Sequence, residues 1–466
     1  MKSLLRNMRL IFIFFIILGL LLLTGLSFQQ RRASRIFLRG AGEDREALGQ
    51  RYRYAGAIYS KDGQRLAASE NGERVYAEDP ELARAFLHVV GDYTHNISNT
   101  IENQYQDILL GTKRPIWTQF MLDLHGKGLQ GNDLYTSLDS RIQRYAYRLL
   151  AERRGAIVVL NYRTGEVVAA VSTPTTDVDN VIRYEDIPDS ALFNRVFDGS
   201  YLPGSTFKIV SSAAWLSSPQ YDPNLVVQCI RPRPLIEPDG VREDYNIGEN
   251  HGEVDLDQGF ATSCNYFFGT LGLKLGYDSL KQMAEQLGYN RSLKVGELQV
   301  RKGIFAPSSQ SEAQLTWMAI GQPQGQDQIL LSPMQLCMDT ATIAAGGQVP
   351  GWSLAQSWVD PDGGEHAIPA TKSTEGLEAT VAERLRSVMQ RAVETGYQAA
   401  AVEGYAVGGK TGTVEVEGQE RPNRLFTGFL GSDEAPYAIS MVYEDSYYAP
   451  IEDASGLLSL LAELKP

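Results

Sequence analysis

Residues 203–210 read PGSTFKIV, a serine three positions before a lysine, behind Pro203 and Gly204 and ahead of an apolar run. In a helix beginning here, positions i and i+3 share a face, with Cβ atoms about 5–6 Å apart. Ser205 and Lys208 would then touch. Serine is a weak nucleophile until a base takes its proton. A lysine whose pKa is lowered by burial or a nearby positive charge serves as that base. The free N–H groups of the helix start can face a developing oxyanion, and Gly204 admits a close approach. The same residues also read as an ordinary capped helix, because serine is a favoured N-cap. One box does not decide.

Two further boxes follow. GFATSCNYFFG, residues 259–269, sets Ser263 and Asn265 two apart amid apolar neighbours. A hydroxyl there can relay a proton and an amide can grip a substrate carbonyl. Taken alone it is equally a turn before a buried helix. VGGKTGT, residues 407–413, reads as a strand with glycines inside it. Such glycines weaken a strand unless another backbone must come close. An edge strand here takes an extended peptide by strand addition. Lys410, Thr411 and Thr413 can meet a carboxylate, and the Thr413 N–H can join that of Ser205 as an oxyanion donor. The solvated lysine of a Gly-rich hairpin is the plain reading. GYAVGGKT also fits the phosphate-loop pattern literally, but that loop must open a helix, and TGTVEVEG continues as a strand.

The order S-x-x-K, S-x-N, K-T-G is the signature of the penicillin-binding and serine β-lactamase superfamily. Ser263 follows Ser205 by 58 residues and precedes Lys410 by 147. RGAIVVLNYRTGEVVAAVSTP, NRVFDGSYLPGSTFKIV, TSCNYFF, AIGQPQGQDQILLSPMQLCMDTATIAAGG and YAVGGKTGT all resemble a class B penicillin-binding protein, most specifically over residues 135–450. The resemblance implies a peptidoglycan D,D-transpeptidase. By it, Ser205 attacks the carbonyl between two terminal D-alanines and Lys208 takes the proton. Ser263 passes that proton to the leaving D-Ala, and Lys410 bonds Ser263 and keeps the field positive. Asn265 holds the donor stem peptide, and Thr411, Gly412 and Thr413 line the site of its carboxylate. β-Lactams would acylate the same serine.

The rest of the chain fits an exported protein. LIFIFFIILGLLLLTGLSF, Leu10–Phe28, carries no charge. As a helix rising 1.5 Å per residue it is about 28 Å long, near the thickness of a bilayer core. Lys2, Arg6 and Arg9 precede it and Arg31, Arg32 and Arg35 follow it. The short front tail and long body favour an uncleaved anchor with the bulk outside. A signal peptide cut near Gly25-Leu26-Ser27 is the alternative. The 466 residues are 43% hydrophobic with a net charge of −13, which argues against nucleic-acid binding. Three cysteines build no disulfide framework. Neither they nor the five histidines have metal-ligand spacing, so neither metal nor cofactor is expected.

AGAIYSKDGQRLAAS, residues 55–69, reads as strand, turn at Asp62-Gly63, strand. A helix is expected from Ser140 to Arg153, capped by Thr136 or Ser137, with Ile142, Tyr145, Leu149 and Leu150 as its stripe. Ala156–Leu160 and Glu166–Ser172 read as a hairpin about Gly165. Residues 205–400 look largely helical, and strands return in YAVGGKTGTVEV, LFTGFLGS and YAISMVYED before a last helix. The expected fold is α/β: a transpeptidase with an antiparallel sheet flanked by helices and a helical subdomain, the sheet completed by the chain's two halves. Residues 1–30 read as tail and anchor, 31–130 as a small α+β pedestal and 131–466 as the transpeptidase domain. The pedestal is too short for a glycosyltransferase, so the resemblance implies a polytopic membrane polymerase as partner. D,D-Carboxypeptidase, serine β-lactamase, and a non-catalytic β-lactam sensor or wall-synthesis scaffold stay open as alternatives.

Overall fold

GAIVVLN and YAISMVY are apolar at almost every position, and every residue of both strands is buried. A strand of an antiparallel sheet normally wets one face; these are covered on both. The structure, a computed structural model, describes residues 7–22, 45–112, 114–128, 130–229, 234–237, 239–242, 251–308 and 311–464. Five strands form its main sheet: β1 Gly155–Asn161, β2 Val167–Thr173, β3 Val407–Val414, β4 Asn423–Leu430 and β5 Tyr437–Tyr443. Their order is β3-β4-β5-β1-β2, antiparallel throughout. The chain's two halves meet where β1 pairs with β5, Val159 opposite Ile439.

Period-two alternation sends β1 side chains into two cores. Ala156, Val158 and Leu160 join one cluster, with Leu336, Met338 and Ile343 of the buried helix Pro333–Ala344. Ile157 and Val159 join the other, with Ile142 and Leu150 of helix Ser140–Leu150 and Leu457 and Leu461 of helix Ile451–Leu464. Each fully buried Val, Leu or Ile contributes about 1.5–3 kcal/mol.

The hairpin expected about Gly165 is present, as is the one whose turn holds Asp62-Gly63. Helix Ser140–Leu150 has a different cap from the expected Thr136 or Ser137. Asp139 accepts from the N–H groups of Arg141 and Ile142. Thr136 ends strand Asp133–Thr136, and the Ser137 hydroxyl donates to the Val167 and Leu354 carbonyls. A carboxylate nearer the first turn outcompetes two hydroxyls already engaged elsewhere. A second sheet of six strands joins residues 58–76 and Asp133–Thr136 to Ala355–Val359 and Glu365–Ala367. The described residues between 205 and 400 carry six α-helices of six or more residues, with short strand pairs between them.

Residues 7–22 are helical with apolar side chains exposed, among them Phe12 and Leu21. No helix among the described residues is long and apolar enough to cross a membrane. The expected span to Phe28, its flanking charges at 2, 6, 31, 32 and 35, and the cleavage triplet at Gly25 extend outside the described residues.

Candidate active site

Ser205 stands in a single turn of 3-10 helix, Gly204–Phe207, that runs into the α-helix Lys208–Leu216. The sequence reading has one continuous helix here. The Lys208 N–H donates to the Ser205 carbonyl and closes the turn between the serine and the lysine. Gly204 has φ 51, a left-handed conformation that glycine adopts without strain. A Cβ at Gly204 would lie 2.9 Å from the Thr413 carbonyl oxygen, and one at Gly412 would lie 2.9 Å from the Pro203 oxygen. The two glycines let β3 pack against the nucleophile turn, where the sequence reading has them admit a substrate. β3 is the edge of its sheet. Along it Lys410 and Gly412 are buried, Thr411 is half-buried and Thr413 is exposed. A strand continues after Lys410 where a phosphate loop would open a helix.

The two lysines meet at one hydroxyl. Lys208 Nζ lies 3.0 Å from Ser263 Oγ and Lys410 Nζ lies 3.1 Å from it. Lys208 also donates to the Ser263 carbonyl at 2.6 Å and to Asn265 Oδ1 at 2.8 Å. The Asn265 amide nitrogen donates to the Arg242 carbonyl at 3.1 Å. Both lysines are fully buried, over aromatic rings: Phe268 5.4 Å from Lys208 Nζ, Phe260 5.6 Å and Tyr397 4.9 Å from Lys410 Nζ. Ser263 has φ 56, a conformation that costs a non-glycine residue energy and gathers at working sites. Ser205 is half-buried; among the described residues no hydrogen bond engages its hydroxyl. Lys208, Ser263, Asn265 and Lys410 are therefore one hydrogen-bonded cluster; Ser205 lies one turn ahead of Lys208, and Thr411, Gly412 and Thr413 continue the strand beyond Lys410.

Burial brings Lys410 down to about 7. An unfolded lysine keeps its proton to about pH 10.4. Between those values the unfolded chain binds one proton more, so stability rises with pH there; the cost of the buried ammonium is complete below the folded value and gone above the unfolded one. Relative to Lys410→Met, the wild type should gain up to about 1.4 kcal/mol per pH unit across that window. Denaturant unfolding of both proteins at several pH values measures this, and a pH-independent difference would contradict it.

Tyr397 and Arg424 belong to the site although no sequence motif marks them. Lys410 Nζ donates to the Tyr397 hydroxyl at 2.5 Å, and that hydroxyl donates to the Phe260 carbonyl at 3.3 Å. Burial pushes the phenol up to about 12, so it keeps its proton. Arg424 lies opposite Thr413 on β4 and donates to its hydroxyl at 3.0 Å. Spacing along the chain gives no metal-ligand set, while the fold brings ligand atoms of Cys229, His251 and Cys264 within 4.8 Å of one another. Cys264, inside the second box, is fully buried in the hydrophobic core, and its sulfur accepts from the Phe267 N–H at 3.4 Å.

A serine before a paired set of buried lysines, beside an open strand edge, defines an acyl-transfer site built for peptide-like substrates. The penicillin binding protein transpeptidase domain family matches residues 155–458, and the chain belongs to that family. It is 28% identical over 414 residues to the peptidoglycan D,D-transpeptidase PbpA of Mycolicibacterium smegmatis, covering 82% of each chain. Among solved structures, penicillin-binding protein A of M. tuberculosis as an imipenem acyl-enzyme complex superimposes with TM-score 0.76 at 26% identity, over 89% of this chain and 100% of that one. The D,D-transpeptidase domain of a peptidoglycan glycosyltransferase from Eggerthella lenta gives 0.74 at 27%, over 89% and 98%.

Proposed function

We propose that this protein is a peptidoglycan D,D-transpeptidase, working through an acyl-enzyme on Ser205 and acylated there by β-lactams. The observation that carries the reading is the contact of both Lys208 and Lys410 with Ser263 Oγ, with Ser205 one turn ahead of Lys208 in the chain. Ser205 Oγ attacks the carbonyl of the penultimate D-alanine as its proton passes to neutral Lys208. The C–N bond breaks, and D-alanine leaves with a proton delivered through Ser263. An amine of a second stem peptide then attacks the ester, giving its proton to the base and freeing Ser205. The donor peptide lies along β3, where an edge strand leaves backbone groups for it. Thr411 and Thr413 meet its carboxylate beside Arg424, and Asn265 holds its backbone. Tyr397 anchors Lys410 against Ser263.

The remaining assignments follow from the sequence. Leu10–Phe28 serves as a single-pass anchor, and the catalytic part lies outside the bacterial cell membrane. Residues 31–130 form a pedestal, and residues 131–466 form the transpeptidase domain. A polytopic glycan polymerase supplies the strands that are cross-linked.

The test is intact mass of the full chain in detergent after benzylpenicillin. One drug per chain that persists for hours supports the reading; a transient adduct with drug turnover is the result of a β-lactamase and would overturn it. Tyr397→Phe keeps the ring and removes the hydroxyl. A hydrogen bond to a charged group is worth about 1.5–3 kcal/mol, so acylation should slow by about tenfold or more and its pH profile should move. Unchanged rate and profile would remove Tyr397 from the machinery.

A further inference from the structure

We propose that helix Ile116–Leu124 is a membrane-surface element, lying along the bilayer and seating Ile116, Trp117, Phe120 and Leu124 among the lipids. This rests on the reading of the chain as anchored through its N-terminal apolar segment. A surface helix of a soluble protein turns its apolar stripe to the core, and this helix does the reverse. Ile116 and Phe120 are 53% exposed, Leu124 68% and Trp117 70%. Positions 116, 120 and 124 recur every four residues and 117 adjoins them, so the four form one stripe. Trp117 and Phe120 stack with ring centroids 5.5 Å apart. Gln119, in contrast, is half-buried, and its amide nitrogen donates to Asp123 Oδ1 at 2.9 Å and to the Gly128 carbonyl at 3.1 Å. Polar contacts hold both ends. Before the helix, Arg114 donates to Asn132 Oδ1 at 2.7 Å and to the Gln130 carbonyl. After it, Lys127 Nζ donates to the Pro361 carbonyl at 2.8 Å and to Asp362 Oδ1 at 2.9 Å. The stripe is thus presented outward by a helix fixed to the body.

Two aromatic side chains of about 150–250 Å² each, with an isoleucine and a leucine beside them, make a patch of a few hundred Å², a size that is often functional on a soluble monomer. Its place in the chain points to the occupant. Residues 7–22 form a helix with apolar side chains exposed. From its end to Arg45 is a reach of at most about 80 Å, at about 3.3–3.6 Å per residue. The body begins with helix Arg45–Tyr52, and the chain then runs beside the stripe. The Tyr54 carbonyl accepts from the Gly131 N–H at 2.6 Å, inside the segment 128–132 that Gln119 and Arg114 hold. Tyr54 is itself exposed. The chain therefore enters the body on the side of the stripe. Tryptophan and tyrosine gather at membrane–water interfaces, and helices lying there bury Trp, Phe and Leu. The stripe carries no charge. The chain's net charge of −13 is opposed to the anionic lipids that attract basic segments, so the attraction is apolar. Docking of this kind holds the body at one orientation to the bilayer.

The experiment reconstitutes the full chain in phosphatidylcholine vesicles, with and without bromine on the acyl chains, and reads tryptophan emission. Of the five tryptophans, Trp215 and Trp352 are buried, Trp317 and Trp358 are half-buried, and Trp117 is exposed. Brominated lipid should quench the wild type, more with bromine near the headgroup end of the chains than at their tips. That quenching should be absent in Trp117→Phe. It should hold from about 0.01 M to about 1 M salt, over which the screening length falls from about 30 Å to about 3 Å. Equal quenching in wild type and Trp117→Phe, or quenching lost at high salt, would overturn the proposal. So would a dimer in detergent that Phe120→Gln dissolves, which would give the face to a second copy. Protein that does not float with the vesicles would remove the anchor and the docking together. Protein that floats and is acylated by benzylpenicillin, yet is unquenched, would overturn the docking alone. Protein quenched at Trp117 and never acylated would instead count against the transpeptidase reading, leaving the docking standing.

Discussion

Ser205→Ala is expected to take up no benzylpenicillin while folding as the wild type does. The oxygen removed makes no hydrogen bond among the described residues and is half-exposed, so its loss leaves no buried group unsatisfied. Surface changes of this kind stay within about 0.5 kcal/mol. The nucleophile has no substitute within the cluster. Ser263 Oγ is held by both lysines and lies in a strained turn that fixes where it points. Intact mass after incubation should show an unmodified chain, and thermal unfolding should show an unchanged midpoint. An adduct at wild-type rate in Ser205→Ala would move the nucleophile elsewhere. A collapsed midpoint would make the missing adduct uninformative, and Ser205→Cys would then replace it, its thiol expected to give a slow thioester.

Lys208→Ala is expected to be damaging in two separable ways. As the base it should account for about 10²- to 10⁴-fold in acylation rate. As a fully buried group it also satisfies the Ser263 carbonyl and Asn265 Oδ1. Each buried acceptor left without a donor costs about 1–3 kcal/mol, so the midpoint should fall as well. Lys208→Met fills similar volume without a donor and should be as inactive as Lys208→Ala. Lys208→Arg should recover much of the stability through its donors and little of the rate, because guanidinium does not lose its proton. Stopped-flow acylation and denaturant unfolding measured on all three variants separate the two effects. Full activity in Lys208→Arg would contradict the base assignment.

The strands and the three boxes were legible because their signals are local. β1 and β2 announce themselves by apolar runs about Gly165, and β3 by glycines within a strand pattern. Gly204 and Gly412 were legible as places of close approach, but the partner read from the sequence was a substrate; the structure uses them to pack the nucleophile turn against the edge strand, where a Cβ on either would meet the other's backbone at 2.9 Å. What stayed hidden depends on contacts between distant residues. Tyr397 reaches Lys410 from the turn after helix Ala379–Thr395, and its surroundings resemble any loop. Cys229, His251 and Cys264 show no metal spacing because the strand pairing of Cys229 with Gly252, not the interval along the chain, brings the first two together. The cap of helix Ser140–Leu150 was misplaced for a smaller reason. Three residues within four positions, Thr136, Ser137 and Asp139, can all cap, and only the tertiary structure says which two are occupied elsewhere.

The measurement that bears most directly on the central reading is the fate of the acyl group on a natural donor. The full chain in detergent is given uncross-linked peptidoglycan strands carrying D-Ala-D-Ala stems, and the digested products are weighed by mass spectrometry. The account predicts peptide-linked dimers and one D-alanine released per cross-link, both abolished by benzylpenicillin and by Ser205→Ala. Release of D-alanine with shortened monomers and no dimers would contradict it, because water rather than an amine would then be the acceptor.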